Sequence, residues 1–169
     1  MRTSGPILEL SCGYWSTPLL HSLCDRDSRP LHTVEHDADW MQRFRSLENE
    51  WHTFEHVPLE PHGQLGYEIR YRLSSRQRER VDGAWESVGR DREWDLVFID
   101  HLPAARRVKE VARLREAAKV FVIHNTDRRH NAIFGFWPYL SSFRYVYEFP
   151  AAPATVICSD SIDVTDFVL

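Results

Sequence analysis

Short apolar runs that end in an acid or a histidine recur along this 169-residue chain. The first is Ile7-Leu8-Glu9-Leu10 and the second is Leu31-His32-Thr33-Val34-Glu35. Trp94-Asp95-Leu96-Val97-Phe98-Ile99-Asp100 is the strongest, with the near-continuous apolar character of a parallel strand covered on both faces. Val120-Phe121-Val122-Ile123, ending at His124, repeats it. Helical spacing fills the gaps. Pro18 to Asp25 reads as a crossover helix, and Asp37 or Asp39 caps another that carries Trp40, Met41, Phe44 and Leu47. Pro103 opens a helix with Val108, Val111, Ala112 and Leu114 on or near one face and Arg106, Arg107, Lys109 and Arg113 outside.

A further strand is expected near Phe54 to Leu59. Leu65, Tyr67, Ile69, Tyr71 and Leu73 then alternate with Gly66, Glu68, Arg70 and Arg72, which predicts an antiparallel edge hairpin. Ser74 to Arg92 is polar and is expected as a short helix broken near Gly83. Phe143 to Phe149 and Thr155 to Cys158 are two more strands, joined by Pro150-Ala151-Ala152-Pro153. Strand–helix alternation followed by a terminal hairpin predicts an α/β fold. Its form is a three-layer, doubly wound, mostly parallel seven-stranded sheet with a C-terminal antiparallel hairpin.

The turn after the first strand holds the candidate chemistry. Gly13 supplies a position without Cβ, either for positive φ or for close approach of a ligand. Ser16 or Thr17 can N-cap the next helix, with Pro18 at its first position. Strand, glycine turn and helix N-terminus make a nucleotide-cradling corner. Glu35 follows about 20 residues later, where the second strand of a βαβ unit carries a ribose-binding carboxylate. A dinucleotide is the rival ligand, but it wants Gly-x-Gly-x-x-Gly, and Gly13 is flanked by Tyr14 and Trp15.

Composition narrows the classes. Net charge is −4, hydrophobic content 43%, and the basic residues fall in small clusters, so nucleic acid is not the expected partner. No apolar run approaches the ~18 residues that span a bilayer, and no membrane association is expected. Three cysteines, Cys12, Cys24 and Cys158, lack metal spacing and point to a reducing, cytoplasmic setting. One domain over 1–169 is expected. His52-Thr53-Phe54-Glu55-His56 matches an inverted zinc-peptidase motif, yet its residue types favour a strand, which would hold the histidines about 13 Å apart.

Ile7-Leu8-Glu9-Leu10-Ser11-Cys12-Gly13, Thr33-Val34-Glu35 and Asp95-Leu96-Val97-Phe98-Ile99-Asp100-His101, in that order and spacing, resemble class I S-adenosylmethionine-dependent methyltransferases. The likeness spans nearly the whole chain. Val97 to His101 and Val122-Ile123-His124-Asn125 are similar to stretches of catechol O-methyltransferase-like enzymes. The resemblance implies a Rossmann-like methyltransferase fold with S-adenosylmethionine as cofactor and a small-molecule substrate. Glu9 and the turn Ser11, Cys12, Gly13 and Tyr14 would hold the methionine moiety, and Ser16 its carboxylate. Glu35 would accept the ribose hydroxyls, and Asp100 and His101 would sit beside the methyl group or the adenine. Asp100 or His124 would accept the nucleophile's proton.

The departures are specific. Ser11 and Trp15 occupy glycine-type positions, and His124 replaces an acid. Pro103 replaces a lysine base, which counts against catechol-type chemistry, although Asp100, His124 and Asn125 still offer metal-ligating atoms. Six residues precede the first strand, so the expectation is either a partner subunit, another copy of the chain or a different protein, that covers the N-terminal side, or an open pocket. Two alternatives remain at this stage: a non-catalytic cofactor-binding module for regulation or assembly, and an NAD-dependent oxidoreductase.

Overall fold

Ile7, Leu8, Glu9 and Leu10 have no exposed surface, because the strand they form sits inside the sheet with a layer on each face. The computed structural model describes residues 3–58, 74–102, 106–127, 135–149, 151 and 153–166. Its elements are β1 (Ile7–Leu10), α1 (Ser16–Asp25), β2 (Leu31–Glu35), α2 (Ala38–Gln42), a 3-10 turn at Arg45–Leu47 and β3 (His52–His56). They continue with α3 (Ser75–Trp85), β4 (Trp94–Ile99), α4 (Arg107–Leu114), β5 (Ala118–His124), α5 (Trp137–Leu140), β6 (Tyr145–Phe149) and β7 (Thr155–Ser159).

These strands form one seven-stranded sheet in the order β3-β2-β1-β4-β5-β7-β6. The first five run parallel, and β7 is antiparallel to both β5 and β6. The chain is therefore an α/β fold with a mostly parallel sheet and a C-terminal antiparallel pair, as its pattern predicts. The order reverses between β1 and β4, which opens a crevice at their carboxyl ends, where ligands bind in such sheets.

Alternation along each strand divides the core. Leu8 and Leu10 face one layer with Trp85, Val97, Ile99, Val111, Leu114 and Phe121. Ile7 and Leu31 face the other, beneath Leu20 and Cys24 of α1. Cys12, Met41, Phe44 and Phe54 close a third cluster under α2. Gly89 is required where it stands. It has φ +70, and an added Cβ would come within 2.5 Å of Leu8.

Several expectations are corrected. β3 runs over His52–His56, earlier than Phe54 to Leu59, because His52 turns inward onto Thr33. α3 passes through Gly83 without a break; a Cβ there would meet nothing within 4 Å, so the glycine serves no turn. α1 begins at Ser16 with Trp15 before it, and no side chain caps it, because Thr17 is turned into the core. Arg106, Arg107 and Arg113 are buried, against their position off the apolar stripe. Their guanidinium heads find acids and carbonyls inside: Arg106 meets Glu110 at 2.5 Å and Asp82 at 2.6 Å, and Arg113 also binds Glu110. The alternating stretch Leu65 to Leu73 and the Pro103 helix start lie outside the described residues.

Candidate active site

The carboxyl edge of β1 and β2 gathers two buried acids. At its end β1 stays against β2, with the Ser11 amide donating to the Val34 carbonyl at 2.8 Å. The left-handed residue of the turn is Ser11, at φ 79, rather than Gly13. Gly13 serves close approach instead: an added Cβ would meet Ser16 Oγ at 3.1 Å. Its amide donates to Thr17 Oγ1 at 2.8 Å.

Thr17 passes the chain of hydrogen bonds on to Glu9, its hydroxyl lying 2.9 Å from Oε1 and 3.0 Å from Oε2. Thr33 donates to the same carboxyl at 2.8 Å. Burial pushes the Glu9 carboxyl up to about 7, despite the hydroxyls of Ser16, Thr33 and Thr17 and with a further push from Glu35. Behind Thr33, His52 Nε2 lies 3.0 Å from the Thr33 hydroxyl, and His52 Nδ1 lies 3.0 Å from His21 Nδ1. Burial, with His21 adding to it, pulls the His52 imidazole down to about 4. His52 is therefore neutral and completes a polar chain from His21 to Gly13.

Glu35 is equally buried but better supplied with donors. Its Oε2 accepts from the Ser11 hydroxyl at 2.6 Å and the Cys12 amide at 3.1 Å. Its Oε1 accepts from the His36 and Asp37 amides at 2.8 and 3.0 Å and pairs with His36 Nδ1 at 2.7 Å. Burial would raise this carboxyl, but the His36 imidazole, Ser11 hydroxyl and Asp37 amide together bring it down to about 2. Trp40 Nε1 fixes the turn by donating to the Cys12 carbonyl at 2.8 Å. Tyr14 packs edge-on against Trp40 at 5.0 Å, and Trp15 projects into solvent, 90% exposed.

Across the crevice, the Asp100 amide donates to the Leu10 carbonyl at 3.1 Å. The β4–β5 register pairs Ile99 with Ile123, which brings Asp100 alongside His124. Arg107 binds both strand ends. Its guanidinium meets the Asp100 carboxylate at 2.8 Å and donates to the carbonyls of Asp100, His101 and His124 at 2.7, 3.0 and 2.9 Å. Burial raises the Asp100 carboxyl, against the pull of Arg107 and His124. His124 Nδ1 lies 3.1 Å from the Thr155 hydroxyl on β7. Asn125 takes φ 58, a conformation asparagine tolerates.

No protein-family model and no curated protein sequence matches this chain. Solved structures do. The human methyltransferase 10 domain containing protein aligns with 95% of this chain and 73% of its own, at TM-score 0.55 and 10% identity. The delta-N METTL16 MTase domain aligns with 95% of this chain and 76% of its own, at TM-score 0.53 and 10% identity. A methyltransferase candidate from Thermoplasma acidophilum aligns with 94% and 68%, at TM-score 0.51 and 12% identity. The chain has the class I methyltransferase fold.

On that fold, Glu9, Ser11, Cys12, Gly13, Tyr14, Ser16 and Glu35 all gather at the β1–β2 corner, and Asp100 and His124 face them across the crevice. Ser16 is the first residue of α1, which places its backbone at the helix N-terminus. His101 is enclosed rather than at the lip: it is fully buried, stacked on Trp85 at 5.0 Å, and neither ring nitrogen has a partner among the described residues. Burial, then the positive charges of Arg107 and Arg106, hold it neutral.

Sequence reasoning missed Arg107, Thr17, Thr33, His52 and His21. Thr33 had a readable sign, a hydroxyl in the middle of an apolar strand that the register sets directly beside Glu9. A cleft of about 480 Å³ lined by His32, Trp51 and Arg92 lies at the opposite, amino-terminal edge, away from these residues. No helix among the described residues is long and apolar enough to cross a membrane.

Proposed function

We propose that this chain binds S-adenosylmethionine at the carboxyl edge of β1 and β2 and transfers its methyl group to an oxygen or nitrogen of a small or medium-sized substrate. The observation that carries the reading is the Glu35 carboxylate, held ionised at the end of β2 beside the β1–α1 turn of a methyltransferase fold. A ribose diol brings two O–H donors, and an ionised carboxylate accepts both. The β1–α1 turn fits the other end of the cofactor. Gly13 leaves room for close approach, and the first amides of α1 favour a carboxylate.

The bound cofactor would supply an electrophilic methyl group on a sulfonium. This chain's residues would hold the acceptor in line and take its proton, and proximity would contribute most of the acceleration. Asp100 and His124 are the proton acceptors, and Arg107 is the positioning residue that keeps their strand ends together. His101, enclosed and neutral, stacks on Trp85. Equilibrium dialysis with methyl-labelled cofactor, followed by counting label in a panel of hydroxyl and amine acceptors, tests the reading. Bound label that moves to an acceptor, and moves less in Asp100→Asn and His124→Ala, supports it. Turnover intact in both variants would overturn the assignment of the proton acceptors.

A second reading, cofactor binding without transfer, draws on one observation. The Asp100 carboxylate already pairs with Arg107, which weakens it as a base. Bound label that never reaches any acceptor would favour that module.

A further inference from the structure

Ser11 combines an unusual backbone with a committed side chain. It lies at φ 79, in the region that favours glycine, and its hydroxyl sits 2.6 Å from Glu35 Oε2. Glu35 is 1% exposed, so the oxygen that would receive a ribose hydroxyl is covered. The Cys12 amide at 3.1 Å on the same oxygen is fixed by the backbone, and the Cys12 thiol at 3.5 Å is a weak donor. Oε1 is held by two amides and the His36 ring. The Ser11 hydroxyl is the Oε2 donor that rotation about a single bond can remove.

We propose that Ser11 is a specificity-determining residue of this site: its hydroxyl holds the Glu35 oxygen that a ribose hydroxyl would take, so a nucleoside binds by displacing it. The inference rests on reading Glu35 as the ribose acceptor. Displacement exchanges one O–H···carboxylate bond for another, so the ribose gains little from the acid. The site then discriminates weakly between ribose and deoxyribose. Without the serine hydroxyl the same carboxylate offers an open acceptor, and both affinity and discrimination rise.

The test is calorimetric titration with S-adenosylhomocysteine and its 2′-deoxy and 3′-deoxy forms. The proteins are the unaltered chain, Ser11→Ala, Ser11→Gly, Glu35→Gln and the Ser11→Ala/Glu35→Gln pair, each checked for folding by thermal melting. Ser11→Gly also relieves the left-handed backbone, so it covers the case in which Ser11→Ala folds poorly. The expected result is tightening of about fivefold or more in both Ser11 variants, roughly one exchanged hydrogen bond, with no gain in the Glu35→Gln background. The penalty for a deoxy ligand should grow by a similar factor. Binding to the unaltered chain that is unchanged or weaker in both Ser11 variants overturns the role of Ser11 and leaves the cofactor reading standing. No binding by any of the five proteins at millimolar ligand overturns both.

Discussion

Glu9 and Glu35 are both sealed from solvent, stand on neighbouring parallel strands, and titrate in opposite directions. Glu9 meets only neutral hydroxyls from Thr17, Thr33 and Ser16, and burial carries its carboxyl up to about 7. Glu35 meets the His36 imidazole and three backbone amides as well as the Ser11 hydroxyl, and it falls to about 2. Burial raises both, so it does not account for the difference. Imidazole and amide donors make the difference, and chain position supplies the amides: Glu35 lies where β2 ends and free amides begin, whereas Glu9 lies inside β1, whose amides are spent on the sheet. Glu9, inside its strand, becomes a proton-sensitive structural group. Glu35, at its strand end, keeps its charge.

The largest expected effect comes from emptying the second region. Glu35→Ala leaves the His36 ring, the Ser11 hydroxyl and three amides without their acceptor. It should cost about 3–5 kcal/mol in urea denaturation at neutral pH. A loss below 1 kcal/mol would mean that the donors re-pair and that the two acids are not held so differently.

Next in size are the pH slopes. Glu9, raised from 4.5 to about 7, takes up its proton more readily in the folded chain, so its contribution is full below pH 4.5 and is lost as pH rises toward 7. His52, lowered from 6.5 to about 4, does the reverse: its contribution is full above pH 6.5 and is lost as pH falls toward 4. Each is worth about 3 kcal/mol across its window. The windows overlap, so between pH 4.5 and 6.5 they cancel in the unaltered chain. Glu9→Gln should show stability climbing with pH there, and His52→Gln should show it falling, in denaturation series at several pH values. Parallel curves for both variants would separate His52 from Glu9. Glu35 acts only at lower pH, its contribution present above 4.5 and lost toward pH 2.

The smallest change is Thr33→Val, which removes the hydroxyl between Glu9 and His52. It should cost about 1–2 kcal/mol at neutral pH and push the Glu9 carboxyl higher still, read by the displaced midpoint of its pH series. A midpoint that moves down would mean Thr33 does not stabilise the ionised acid.

The sheet was legible because parallel strands buried on both faces carry near-continuous apolar runs, as β1, β4 and β5 do. Strand ends in acids and histidines marked the carboxyl edge, and so Glu35, Asp100 and His124. The arginines of α4 were not legible. Helical spacing put Arg106, Arg107 and Arg113 outside; it sets Glu110 within reach of Arg106 and Arg113, but only the folded chain brings Asp82 and the carbonyls of Asp100, His101 and His124 to them. The hydroxyl–histidine chain behind Glu9 depends on strand order, which periodicity does not encode. The covering of Glu35 by Ser11 depends on one left-handed backbone angle, set by the turn and not by residue type.

The most direct test of the cofactor site is a calorimetric titration of the chain with S-adenosylhomocysteine at neutral pH, repeated with Glu35→Gln, which keeps the volume and removes the charge. Binding in the micromolar range, weakened severalfold in the variant and by a larger factor when the pair is compared in the Ser11→Ala background, is the predicted result, since the Ser11 hydroxyl already occupies part of the carboxylate. Equal affinity in the two proteins, or none in the unaltered chain at millimolar ligand, would contradict the assignment of Glu35 and with it the cofactor corner.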